Sequence, residues 1–204
     1  LYVIITSDLG FCGDFNTTVL NTALEKVNED KEHSKLIILG EKGQIMLKKF
    51  KYDIVAKYSD IPDFPTINDV ETLASQIIKM YKNNEVGQVY FVYTLFKSTL
   101  NKKAKVEKLL PLCELTQDKD ESSEFLFEIS DFEKIVNLYI RSSIYNYTVN
   151  SKASEHSTRM MSMDGATKNA NDLLNDLNVK YNKERQSMIT SEINEIVSGA
   201  EALK

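Results

Sequence analysis

"YVIITSDLGFCGDFN", residues 2–16, carries a strand, a turn and the start of a helix. Val3, Ile4, Ile5 and Thr6 form a β-branched run of the kind that fills a buried strand. Gly10 and Gly13 punctuate the turn. Val19, Leu20, Ala23, Leu24 and Val27 then recur at three- and four-residue spacing, which predicts a helix over Phe15–Asn28. Strand, glycine turn and helix N-terminus are also the parts of a phosphate cradle. The chemistry of one is missing here. A P-loop needs two glycines separated by four residues, then Lys and Ser or Thr. Gly10 and Gly13 are closer together, and Asp14-Phe15 follows. A carboxylate at the helix start favours the helix dipole and repels an anion. The dinucleotide fingerprint fails too, for want of its third glycine. The turn therefore reads as a structural connection, and Asp8 as a capping or turn residue.

Working outward, strands are expected at Leu1–Thr6, Lys35–Leu39, Asp53–Tyr58, Gln88–Phe96, residues 104–115 and Phe125–Ile129. Helices are expected at Lys42–Phe50 and from a cap at Asn68 or Asp69 through about Asn83. The stretch "TQDKDESSE" reads as a solvated loop. Strands alternating with helices indicate an α/β domain, Rossmann-like, with a largely parallel sheet and flanking helices.

The 204 residues suit one domain plus an appendage. A net charge of -5 argues against a nucleic-acid partner. Cys12 and Cys113 give neither a disulfide framework nor metal spacing. No apolar run reaches the ~20 residues of a membrane span. His33 sits in a polar connection and reads as solvated; His156 reads as a packed or surface side chain. No catalytic, cofactor-binding or metal site is expected. The chain starts at Leu1 inside a strand pattern, so an N-terminal segment is expected to precede it.

From about Asp131 to Leu203 there is no proline, and Gly165 is the only glycine before Gly199. Ser130 is the expected N-cap, with Glu133 at the third helical position. Some 70 residues of helix would extend roughly 100 Å, whereas a domain of ~130 residues is about 30 Å across. Most of the helix is expected to leave its domain, giving a division into residues 1–130 and 131–204, with a shaft from about 160. Met160, Met161 and Met163 read as the place where the helix packs on that domain. Beyond it, Met163, Ala166, Ala170, Leu174, Leu177 and Tyr181 are three or four residues apart. Ile189, Ile193, Ile196, Ala200 and Leu203 repeat the spacing after the polar stretch "NKERQS". Such alternation is a coiled-coil seam, which needs a partner. Asp176 and Lys180 are placed for an i,i+4 pair. Gly165 alone is too weak a breaker to turn the helix back.

"ITSDLGFCGDFN" resembles the motif ITSDxGLCGGxN of the gamma subunit of F-type rotary ATP synthases. The stretch from "SEHSTRMMSMDGATKNANDLL" to "EIVSGAEAL" resembles the C-terminal helix of the same family. The likeness is strong over residues 4–16 and 152–203 and loose between them. It implies a non-catalytic central rotor shaft. The C-terminal helix would form an antiparallel coiled coil with an N-terminal helix missing from this chain and enter a hexamer of alpha and beta subunits. The α/β domain would lie against the epsilon subunit and the membrane rotor ring. The complex would sit on the cytoplasmic side of a bacterial plasma membrane, with this subunit peripheral. Arg185, Gln186, Thr190 and Glu192 match the family's RQxxxTxE segment, which implies a beta-subunit contact. The departures are Asp14 in place of glycine, the missing N-terminal helix, and a segment at 116–124 that is short and lacks a cysteine pair. Two alternatives stand beside this one: a gamma-like shaft of a motor that does not make ATP, and a module binding a small anion at Asp8–Gly13.

Overall fold

The computed structural model describes residues 1–112 and 132–202. The chain divides into two compact units, Leu1–Met160 and Met161–Lys204. In chain order the first unit holds β1 (Tyr2–Ile5), α1 (Phe15–Val27), β2 (Lys35–Leu39), α2 (Glu41–Leu47), β3 (Asp53–Tyr58), α3 (Glu71–Lys82), β4 (Val89–Phe96) and β5 (Lys102–Leu110). The last helix, α4 (Phe132–Ala202), gives its first part to this unit and forms the second from Met161 onward.

The sheet order is β3-β2-β1-β4-β5. β1 pairs in parallel with β2 and β4, and β2 in parallel with β3; β5 runs antiparallel to β4. The mostly parallel sheet with flanking helices and a long C-terminal helix is the expected fold. The period of two along each strand sorts side chains between two cores. Val3, Ile5, Ile37, Leu39, Phe91 and Tyr93 face α3 and the first part of α4. Ile4, Leu36, Ile38 and Val92 face α1 and α2.

Several element limits differ from expectation. β5 spans Lys102–Leu110, starting earlier than the expected 104–115 and ending before Pro111, which has no N–H for a ladder; residues 113–115 lie outside the described residues. α2 covers Glu41–Leu47 instead of Lys42–Phe50. Asn68–Val70 is a 3₁₀ turn leading into α3. The Asp69 carboxylate caps no α3 amide; it accepts the N–H and hydroxyl of Thr66 at 2.6 and 2.7 Å. The expected strand Phe125–Ile129, the loop "TQDKDESSE", the Ser130 cap, Cys113 and Leu203 lie outside the described residues.

α2 comes close to β1, and glycine makes that approach workable. Gly40 has φ 95°, and a Cβ there would stand 2.3 Å from the Thr6 carbonyl oxygen. Thr6 fills the gap: its hydroxyl donates to Leu39 O at 2.6 Å and accepts Gly43 N–H at 3.1 Å.

Candidate functional site

The glycine turn has the outline of a ligand cradle, so its geometry decides whether a ligand is held. Gly13 has φ 55°, the left-handed value that a glycine tolerates. Asn16 braces the turn from α1. Its Oδ1 accepts Ser7 N–H at 2.9 Å and its Nδ2 donates to Ser7 Oγ at 2.7 Å. Asp8 Oδ1 accepts Glu41 N–H at 3.1 Å at the start of α2, the capping role expected of it. Asp14 precedes α1 with no side-chain bond to its first amides. Two carboxylates thus edge the turn, while Leu9 and Phe11 point outward, 67% and 79% exposed. That is a poor seat for an anion. His33 is exposed and bonds Asp30 at 2.8 Å. His156 Nε2 lies 3.3 Å from Asp63 Oδ1.

The first part of α4 is anchored to the sheet. Ile140, Ile144 and Tyr147 are buried in the core, and the Tyr147 ring packs at a tilt against Phe91 and Tyr93, at 5.1 and 4.6 Å between centroids. Tyr93 Oη donates to Glu107 Oε2 at 2.9 Å, and Lys105 Nζ lies 2.7 Å from the same oxygen. Burial raises the phenol pKa values of Tyr93 and Tyr147, helped by the Glu107 charge. Burial opposes the Glu107 carboxylate. The hydrogen bonds from Lys105 and Tyr93, with the Lys105 charge, outweigh it and hold the pKa below its ordinary value. The folded pKa is thus depressed. The stabilisation is present above the unfolded pKa of about 4.3 and is lost as pH falls through the folded value. Urea unfolding of Glu107→Gln against the parent at successive pH values should show the parent's advantage near neutrality shrinking below about pH 4. A constant difference down to low pH would remove Glu107 as its cause.

Past Tyr147 the buried face of α4 turns polar. Thr148, Ser151, Lys152, Ser154 and Glu155 are all at most 6% exposed. Glu155 lies between Lys152 (3.5 Å) and Arg159 (2.6 Å). Arg159 Nε donates to Gly10 O at 3.1 Å. The Glu155 pairs are local, three and four residues apart, whereas the Arg159–Gly10 bond joins residues 149 apart, which no local pattern in the sequence marks. Met160, expected to mark the packed face, is 60% exposed in the first unit. The packed face runs through Ser151, Ser154 and Glu155 instead.

The second unit is one uninterrupted helix that runs through Gly165, as expected. Among the described residues its side chains from Ala166 to Glu201 are exposed. Leu174, Leu177, Tyr181, Ile189, Ile193 and Ile196 are 48–72% exposed. Ala166, Ala170 and Ala200 are exposed too. Leu173, Val179, Met188 and Val197 are exposed as well, so the apolar surface is wider than the expected stripe. The anticipated Asp176–Lys180 pair does not form; among the described residues, this unit's ion pair is Asp164–Lys168, at 2.8 Å. Exposed pairs gain little for the side-chain entropy they lose. Arg185, Gln186 and Glu192 are exposed. Thr190 Oγ1 donates to Gln186 O at 2.8 Å, so its proton is used within the helix. No helix of the described residues is long and apolar enough to cross a membrane.

The family model described as ATP synthase matches residues 1–203. The ATP synthase gamma chain of Clostridium novyi (strain NT) is 45% identical over 206 residues, covering 99% of this chain and 72% of that protein. That of Clostridium pasteurianum is 43% identical over 205 residues, covering 100% and 73%. Among solved structures, a chain of the Euglena gracilis mitochondrial ATP synthase (OSCP/F1/c-ring) matches with a TM-score of 0.75 at 19% identity, over 99% of this chain and 72% of that one. A chain of the Tetrahymena thermophila mitochondrial ATP synthase central stalk and c-ring gives 0.64 at 26% identity, over 81% and 75%. A motif at each end of the chain, the fold between them and near-complete coverage by close relatives agree: the chain belongs to the ATP synthase gamma-chain family.

Proposed function

We propose that this chain is the central-stalk rotor of a rotary ATP synthase, without a catalytic centre of its own, and that it carries torque between an alpha/beta catalytic hexamer and a proton-translocating membrane ring. The observation that carries this reading is the helix beyond Gly165, whose apolar side chains from Ala166 to Ala200 are exposed in their own unit. An exposed apolar surface of this kind marks a partner interface. In this reading the α/β domain (residues 1–130) meets the epsilon subunit and the ring. The helix (131–204, a shaft from about 160) pairs through its seam with an N-terminal helix of the same subunit. The complex lies on the cytoplasmic face of a bacterial plasma membrane.

Arg185, Gln186, Thr190 and Glu192 are the proposed contact with a beta subunit. The first two and Glu192 are free to bond outward, whereas Thr190 offers only its lone pairs. Polar, directional contacts suit a surface that must bind and release successive partners. Each one desolvated in the complex is worth ~1–3 kcal/mol. The test is to reconstitute Arg185→Ala, Gln186→Ala and the double variant with alpha and beta subunits. ATP turnover should fall while assembly, followed by gel filtration, stays normal; Lys180→Ala should match the parent. Parental turnover in the double variant would sink the contact assignment, and failed assembly would place these residues in the structural seam.

A further inference from the structure

We propose that the polar face of α4 between Asn150 and Arg159 is a rotational lock: it fixes the angle of the helix about its own axis, so that torque reaches the sheet without slip. The proposal rests on the rotor reading for its purpose but not for its geometry.

The apolar anchor ends at Tyr147. Hydrophobic contact is non-directional, and the ion pairs of this part with α3, Lys82–Glu133 and Arg141–Glu71, are solvent-exposed and weak, so the anchor resists turning less than buried directional bonds do. The next three turns are held by hydrogen bonds and ion pairs, which depend steeply on direction. Over β4, Ser151 Oγ accepts Thr94 N–H at 3.2 Å and Ser154 Oγ donates to Thr94 O at 3.3 Å. Towards the turn between β4 and β5, Ser157 Oγ donates to Thr99 O at 3.4 Å. Lys102 Nζ donates to Ser157 Oγ and Thr158 Oγ1 at 3.2 and 3.1 Å. Towards the loop after β1, Arg159 holds the Gly10 carbonyl, and Lys152 Nζ stands 4.0 Å from Asp8 Oδ2. Asp8 in turn holds the first amide of α2. In the sheet β1 and β5 lie on either side of β4. The bonds therefore pull on both flanks of the helix, and turning it either way stretches one set.

Stability alone does not explain this choice. A buried ion cluster is commonly matched or bettered in stability by apolar side chains of the same volume. What apolar side chains cannot supply is direction.

That contrast is the test. The triple variant Lys152→Met, Glu155→Leu, Arg159→Met keeps volume and removes the bonds. Ser151→Ala with Ser154→Ala does the same more gently and serves if the triple variant misfolds. In the protein alone, spin labels at Met160 and Lys49, both exposed, should give a narrow distance distribution in the parent and a broader one in a folded variant. Equal widths overturn the lock. In the assembled, membrane-reconstituted complex, unloaded ATP hydrolysis should be unchanged. ATP synthesis against the proton gradient should fall at least about fivefold, about 1 kcal/mol on the loaded step. Equal losses with and without load, or none, also overturn it. A lock that broadens as expected in a complex whose parent does not couple would leave the geometry standing and remove the rotor reading.

Discussion

Phe91→Ala should destabilise the first unit by about 3–5 kcal/mol, the range for deleting a buried aromatic ring. Phe91 lies on β4, beside β1 in the sheet, and has no exposed surface. Its ring meets Tyr147 of α4, which in turn meets Tyr93. The cavity would open where the sheet, α3 and α4 share a core. The strands on either side are hydrogen-bonded and cannot close over it. Domains are stable by only about 5–15 kcal/mol, so the loss would be a large fraction of the total. Urea unfolding measures it, and Phe91→Leu should lose much less. A loss below about 1 kcal/mol would mean that the site collapses freely, and that α4 is not clamped by this ring.

The second large effect should appear only in the complex. Leu174→Asp with Leu177→Asp alters two residues that are 57% and 51% exposed. In the chain alone the change should stay within about 0.5 kcal/mol per site, as at other surface positions. Burial of each leucine against a partner helix is worth roughly 1.5–3 kcal/mol. Losing both amounts to about 3–6 kcal/mol, or two to four orders of magnitude in association. Placing carboxylates in the seam adds to that. Thermal melting of the chain alone should be nearly unchanged, while co-purification with the rest of the rotor and with alpha and beta subunits should be lost. Normal assembly of the double variant would place the seam on another face, and Leu173, Val179 and Val197 would be the next residues to test.

How far the sequence foretold this depends on the range of each interaction. β4 was legible because "VYFVYTLF" is an unbroken apolar run, the signature of a strand buried on both faces. α4 was legible because proline is absent over some 70 residues. Both are local signals. The end of β5 was not legible: "LLPLC" continues the apolar run, and the break at Pro111 concerns a missing ladder donor and not hydropathy. The cap expected at Asn68 or Asp69 failed because Asp69 found Thr66 before it, three residues back. The packed face of α4 runs through Ser151, Ser154 and Glu155, upstream of the methionines. Small and charged residues do not advertise burial. Arg159 makes the same point at longer range. Its partner Gly10 is 149 residues away, and no periodicity in either segment predicts their meeting. The exposed seam was readable because a regular apolar stripe without an internal partner is itself a pattern.

A rotor must turn. The direct measurement attaches a probe at Lys49→Cys, an exposed site on the α/β domain, in the subunit assembled with surface-immobilised alpha and beta subunits. On addition of ATP the probe should rotate stepwise in one direction and stop when hydrolysis is inhibited. ATP hydrolysis by the same molecules with a stationary probe would contradict the rotor account.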